Sequence, residues 1–487
     1  MKSTDIKYII LPFLVIILSC CHKPVTVYTS VGDDINIFPA YTGTHIPCNI
    51  APLNFRIDTE GEKFTIRLVA GRDSFDISSG KNIDIPAGKW KKLLNGNKGN
   101  RLSMKFFVKK AGSWFKYRDM VFHIAEDPID PYVAYRLIEP GYEIWDKMGL
   151  YQRCLENFEE SPIMLNSLTN NNCMNCHSFC RHNPEMMLFH MRQQHAGTMM
   201  VKGDDIRKIN TKTPGMISAG VYPRWHPDGR YVAFSTNITR QEFHTAHTNK
   251  IEVYDQASDI VIYDTETNTI FTDSLLHSRA SFETFPEWSP DGRTLYFCSA
   301  PAAPMPYQYQ SLRYDLLSIG FDPASGSFSD SVDSLVQSRE TGKSVALGRI
   351  SPDGNYLIFC MSDYGTFPIW HRENDLYLLN MADGVVSGME PVNSDQSDSY
   401  HSWSSNGRWI IFSSRRIDGT FTRLFISYFD RNGQAYPPFP LPQKNPSFYD
   451  YFLKSYNIPE LITGKVSVSP YELEEVARDK ALEVKSR

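Results

Sequence analysis

Four stretches of the chain repeat one pattern: an apolar strand end, a tight bend closed by glycine, and a second apolar strand. They read Tyr222-Pro223-Arg224-Trp225-His226-Pro227-Asp228-Gly229, Phe285-Pro286-Glu287-Trp288-Ser289-Pro290-Asp291-Gly292, Leu347-Gly348-Arg349-Ile350-Ser351-Pro352-Asp353-Gly354 and Tyr400-His401-Ser402-Trp403-Ser404-Ser405-Asn406-Gly407. The unit returns at intervals of roughly 60 residues, as a structural module stacked on copies of itself does. In three of the bends Pro presets φ, with Ser405 in its place in the fourth; in all four Asp or Asn tolerates the turn and Gly takes the left-handed conformation. The strand after the bend, Tyr231-Val232-Ala233-Phe234 and its equivalents, is apolar almost throughout, so both of its faces are expected to be buried. A single four-stranded sheet cannot bury both faces alone. Several sheets arranged radially into a closed ring can. Trp225, Trp288, Ile350 and Trp403 hold one equivalent place before the bend and read as packing between units, not as a ligand cage.

The expected fold is therefore all-β, an N-terminal β-sandwich-like domain followed by a β-propeller over residues 132–445. Two upstream segments lack the bend but carry strand patterns, Tyr132–Ile138 and Met187–Arg192 with Gly197–Val201. Counting them gives six blades, with seven as the alternative. Residues 27–125 show short alternating runs, such as Phe64-Thr65-Ile66-Arg67-Leu68, separated by turn residues, which is the signature of a small sandwich. An acidic, Pro-containing linker, Glu126–Pro131, ends it. Residues 446–487 read as a tail docking on the ring. Aromatic residues make up 13% of the chain, in keeping with a β-rich fold. The net charge is −5 and no long basic run occurs, so nucleic acid is not an expected partner.

Residues 1–19 read as a signal peptide. Lys2 and Lys7 form a basic start, and Tyr8–Leu18 is an apolar run too short to span a bilayer. The run ends in Ile17-Leu18-Ser19-Cys20, which resembles the lipobox of bacterial lipoproteins. That resemblance implies cleavage before Cys20, a diacylglycerol on its thiol, and residues 20–26 as a tether. It also implies a place in the cell envelope, on the outer membrane facing the periplasm, and an oxidising compartment for the nine cysteines.

The sharpest chemical motif is Cys173-Met174-Asn175-Cys176-His177, with Cys180 close behind. This Cys-x-x-Cys-His spacing is that of covalent c-type haem attachment. Two thiols add to the haem vinyls, and His177 ligates the iron on the proximal side. A second iron ligand would come from Met186, Met187, Met191, His182, His190 or His195. A disulfide between Cys173 and Cys176, a zinc site that includes Cys180, and plain packing thiols remain alternatives. The motif is expected in a loop at a blade edge.

The four repeats resemble the PD40 (WD40-like) blades of TolB-type periplasmic propellers, and exported lipoproteins that join such blades to a Cys-x-x-Cys-His motif resemble a TolB-like, cytochrome-c-related group. The resemblance implies a scaffold that binds envelope proteins through its rim, for which the inserts Arg240–Gln256 and 301–313 are candidates. An electron-transfer or haem-sensing role is the alternative. No enzymatic activity is expected: no Gly-x-Ser-x-Gly elbow occurs, and only about 50 residues follow the last blade, too few for a hydrolase domain.

Overall fold

Each glycine bend closes a hairpin as its residues dictate. In the computed structural model, which describes residues 24–41, 43–139, 147–247 and 249–487, Gly229, Gly292, Gly354 and Gly407 have φ of 74°, 72°, 77° and 65°. Their amides donate to the carbonyls of His226, Ser289, Ser351 and Ser404 at 2.8–2.9 Å. Among the described residues six antiparallel sheets of four strands follow one another, two of them extended by short parallel strands. Their inner strands are Ser455–Ile462, Met174–Phe179, Gly220–Trp225, Ser281–Trp288, Ser344–Ile350 and Asp398–Trp403. Each touches the next, and the last touches the first, so the ring closes.

Closure uses both ends of the chain. Ser455–Ile462 pairs antiparallel with Tyr132–Ile138, so the first blade takes its innermost strand from the far end of the sequence. The propeller thus runs past residue 445, where the tail was expected to begin. The rest of the tail decorates the outside. Helix Pro470–Arg478 starts in a capping box between Ser469 and Glu472, then Leu482–Glu483 and Lys485–Ser486 add parallel edges to the second and third blades.

The N-terminal region forms a seven-stranded and a three-stranded sheet, together with helix Ala87–Gly96, which the strand patterns did not predict. The helix buries Trp90, Leu93 and Leu94 on one face. Ile66 and Phe106 of this region share one apolar core with Tyr135, Leu461, Trp409 and Ile411 of the first and sixth blades. The acidic linker is an anchor: Asp130 accepts from the backbone and hydroxyl of Ser405 at 2.7 and 2.5 Å, and Tyr428 donates to Asp127 at 3.0 Å. No described helix is long and apolar enough to cross a membrane.

One irregularity recurs in every blade. Each inner strand bulges once, two residues facing one on the next strand. The first bulged residue is never glycine yet has left-handed φ: Ile458 50°, Cys176 55°, Tyr222 48°, Phe285 52°, Leu347 58°, Tyr400 47°. The residue facing the bulge is always a buried aromatic: Tyr135, Phe189, Phe234, Phe297, Phe359 or Phe412. Such a conformation is unfavourable for a side chain with a Cβ, all the more for β-branched Ile458, and persists because the surrounding sheet enforces it.

Candidate functional site

The bulges organise the axis. Tyr222 and Phe285 meet edge to face, ring centroids 4.6 Å apart, and bulge residues of successive blades form an apolar waist. A cavity lies on each side. One is lined by residues just before the bulges, such as Asn175 and Val221; the other by residues just after them, such as Ser178 and Arg224.

The first cavity is cationic. Arg136 comes from the first blade, Arg192 from the second and Arg415 from the sixth, with Lys147 beside them and Glu139 as the carboxylate of the wall. Among the described residues none of the three guanidiniums pairs with a carboxylate. Arg136 and Arg415 are 8% and 4% exposed, and the Nε of each makes no hydrogen bond among the described residues. Arg415 donates to the Thr420 carbonyl at 2.8 Å and stacks on Trp370, 3.2 Å from the ring centroid. Burial pulls its guanidinium down, to about 9, and the charge of Asp418 offsets only part of the lost hydration. An adjoining cleft shares Arg415 and Trp370 and leads outward past Lys250 and Arg372.

The second cavity has about 430 Å³ and mixed charge. Equivalent positions of the ring supply Arg224, Glu287, Arg349 and Glu460, with Ser178 and Ser402 completing it. Glu287 lies 3.0 Å from Arg224 Nε and 3.3 Å from Arg349 Nη1. Burial pushes its carboxyl up to about 8, against Arg224 and with the help of Glu460. Glu460 is raised too, chiefly by burial, while its Oε1 accepts from the Phe179 amide at 3.0 Å. Trp225, Trp288 and Trp403 do pack between blades, as expected, but they also wall this cavity.

The Cys/His motif is not in an edge loop. It lies on the innermost strand of the second blade, where Cys176 is the bulge residue and His177 takes the place held by Pro223, Pro286 and Pro459 elsewhere. Cys173, Cys176 and His177 are each 3% exposed. Neither ring nitrogen of His177 makes a hydrogen bond of ordinary geometry, and burial pulls it down to about 3, so the imidazole is neutral. Such an orphaned imidazole suits a ligand, but the surroundings do not suit a porphyrin: Asn175 and Ser178 line the two axial cavities, while the three motif side chains line neither. A haem therefore does not fit this packing. The candidate second ligands are not gathered around His177. Met187 and Met191 are core, Met186 packs beneath Gly229, His182 Nδ1 is 2.9 Å from the Leu461 carbonyl, and His190 Nδ1 is 3.2 Å from Thr198 Oγ1. His195, also buried, follows on the next turn. Among the described residues the cysteines are free thiols and no cluster of His, Cys, Asp and Glu forms a metal site. Cys20 lies outside the described residues.

No protein-family model and no curated protein matches the sequence. Solved structures do match, at the level of fold. An oligogalacturonate lyase from Vibrio parahaemolyticus is 10% identical over 62% of this chain and 92% of its own, with a TM-score of 0.34. A periplasmic gluconolactonase from Pseudomonas aeruginosa is 12% identical over 64% and 97%, TM-score 0.36. The propeller domain of a trilobed protease from Pyrococcus furiosus is 11% identical over 71% and 95%, TM-score 0.31. The closed ring of six four-stranded sheets is itself a propeller, and the narrower TolB-type resemblance is not established. Enzymes stand among these structures, which corrects the expectation of a non-enzyme. The missing elbow bears on one class of appended hydrolase domain and leaves the propeller's own cavities out of account.

Sequence reasoning missed Arg136, Arg192 and Arg415. They belong to three blades and share no motif, and only the ring brings them together. Arg224, Glu287 and Arg349 sit inside the repeats, where the switch between Arg and Glu at one position was a visible signal.

Proposed function

We propose that the propeller binds a small ligand carrying carboxylate or phosphate groups in the cavity of Arg136, Arg192 and Arg415. One observation carries this: three guanidiniums from three blades converge without a carboxylate partner among the described residues, two of them buried. A guanidinium removed from water without an anion is unfavourable, and its planar donor fork matches a carboxylate or phosphate. Trp370 and the adjoining cleft give such a ligand an apolar wall and a route in. Calorimetric titration with citrate and with inorganic phosphate, with glycerol as the neutral control, tests the reading. Saturable binding of an anion that is weakened in Arg136→Gln supports it, and no binding of either anion refutes it.

A second reading, contact with envelope proteins through the rim, is favoured by Phe243 and Tyr307, which stand 57% and 91% exposed on the two inserts. Phe243→Ser with Tyr307→Ser would remove that contact and leave anion binding unchanged. The lipid anchor on Cys20 belongs to the same reading, and the intact mass of the mature protein tests it.

A further inference from the structure

The second axial cavity, across the waist from the anion site, differs from it in charge and in what it leaves unsatisfied. Its ring carries two guanidiniums and two carboxyls, and exposed Arg181 also stands on the lining. Arg224 and Arg349 are engaged by Glu287. Four polar atoms of residues on the cavity's lining make no hydrogen bond among the described residues: Glu460 Oε2, Trp288 Nε1, Ser402 Oγ and Arg349 Nε. Trp288 is 4% exposed and Glu460 9%, so both groups are removed from bulk water. Native proteins rarely leave such groups unpaired.

The set has a specific chemistry. Trp288 Nε1 and Arg349 Nε only donate. Glu460 Oε2 accepts when the carboxyl is ionised, and Ser402 Oγ does both. A ligand that satisfies them must offer acceptors and donors side by side, as neighbouring hydroxyls do. The walls are the indoles of Trp225, Trp288 and Trp403, flat apolar surfaces with a polar edge. An anion finds each guanidinium of the ring already paired with Glu287, whereas a neutral ring with hydroxyls on its edge and C–H groups on its face fits both the unpaired polar atoms and the indoles. The size is adequate for one such ring.

From these observations we infer that the cavity ringed by Arg349, Glu460, Ser402 and Trp288 is a second binding site, for a neutral saccharide ring. It is independent of the anion site, since the waist of Tyr222, Phe285 and Tyr400 separates the two and none of Arg349, Glu460, Ser402 and Trp288 lines the first cavity.

The test is saturation-transfer NMR on the full chain with D-glucose, D-galactose and N-acetyl-D-glucosamine at millimolar concentration, followed by tryptophan fluorescence titration with any sugar that responds. Transfer to the ring protons of at least one sugar is expected, with affinity about tenfold weaker in Trp288→Phe, which keeps the packing and removes the N–H. Glu460→Gln should also weaken binding, while citrate binding stays as in the unaltered protein. No transfer to any of the three sugars overturns the inference, and so does sugar binding indifferent to both substitutions. If Trp288→Phe fails to fold, the Glu460→Gln result decides in the same way. Loss of citrate binding alone would strike the anion site and leave this one standing.

Discussion

His371 and Glu252 form a buried pair, Nε2 to Oε2 3.2 Å, that ties the long hairpin of the third blade to the loop of the fifth. Glu373 holds the other ring nitrogen at 3.1 Å, and Tyr364 and Asn249 donate to Glu252 at 2.6 and 3.2 Å. Burial disfavours the imidazolium, but the hydrogen bonds to Glu252 and Glu373 outweigh it and raise His371 from its ordinary 6.5 to about 9. The folded value lies above the unfolded one, so the contribution to stability is complete below the ordinary 6.5 and is lost as pH rises through about 9. Glu373 runs the other way. Burial opposes its ionisation, His371 prevails and brings it to about 2, so its contribution is present above its ordinary 4.5 and is lost as pH falls toward 2. Thermal unfolding should show a plateau between these limits and a falling melting temperature toward alkaline pH. His371→Gln leaves Glu252 buried without its cation and should cost about 3–5 kcal/mol. It should also abolish the alkaline fall, and an unchanged pH profile in that variant would count against the pair.

The anion cavity makes its own quantitative demand. Each guanidinium that meets a carboxylate in a desolvated site contributes about 1.5–3 kcal/mol, so Arg136→Gln or Arg415→Gln should weaken citrate binding about tenfold or more. Citrate at one hundred times its dissociation constant should stabilise the unaltered protein by about 2.7 kcal/mol and the variants by less at the same concentration. Arg415→Gln also removes the stacking on Trp370, so the emission of that indole should shift in this variant and not in Arg136→Gln. Equal citrate affinity in all three proteins would place any anion elsewhere.

What the sequence made legible follows from how local each signal is. The bends around Gly229, Gly292, Gly354 and Gly407 need only four residues each, and the strand after each bend announces its burial by composition. The closing strand Ser455–Ile462 carried no bend, because its hairpin partner Tyr132–Ile138 lies at the other end of the chain. Its Ile458-Pro459-Glu460 nevertheless matches Tyr222-Pro223-Arg224 and Phe285-Pro286-Glu287, a match hidden by the absence of the glycine turn. The same concealment befell Cys176-His177. Read as a chemical motif it pointed to haem; placed in register it is the second blade's version of Tyr400-His401. A two-versus-one bulge is set by pairing with another strand, so no local pattern announces it. The arginine cavity was beyond reach for a stronger reason, since Arg136, Arg192 and Arg415 become neighbours only when the ring closes.

That placement of the cysteines can be checked directly. The seven described thiols are free and buried. Burial raises Cys173 and Cys176, pushes Cys180 up to about 11 and brings Cys298 and Cys360 to about 12. The thiolate is the reactive form, so these groups should be inert at pH 8 while the protein is folded. Labelling with a chromogenic disulfide reagent should find none of the seven in the native protein beyond any signal from Cys20 and Cys21, and all seven in denaturant. Protein matured alongside c-haem assembly should likewise show no Soret band. A band that disappears in Cys176→Ala would mean that the second blade opens to admit a porphyrin, contrary to the packing described above.

Ring closure predicts that two truncations, close together in sequence, will differ sharply. Ending the chain after Lys454 removes the innermost strand of the first blade, with fully buried Tyr456, Leu461 and Ile462. Burying one large apolar side chain contributes about 1.5–3 kcal/mol, so these three alone rival the 5–15 kcal/mol by which a folded domain is typically stable. The loss also bares the edge of Tyr132–Ile138 and removes the neighbour that both Met174–Phe179 and Asp398–Trp403 lean on. Ending the chain after Asp479 removes the two-residue parallel edges and the contacts of Arg487 with Ser325, Gly326 and Phe271; Leu482 is about half exposed, and Val484 between the edges is the one buried apolar group lost. The shorter protein should therefore be recovered aggregated or without a cooperative unfolding transition, and the longer one should fold with a loss of about 1–3 kcal/mol. Size-exclusion elution and thermal unfolding by circular dichroism separate the two outcomes. A cooperative transition in the chain ending at Lys454 would mean that the ring holds together without its closing strand, and the axial cavities would then need another frame.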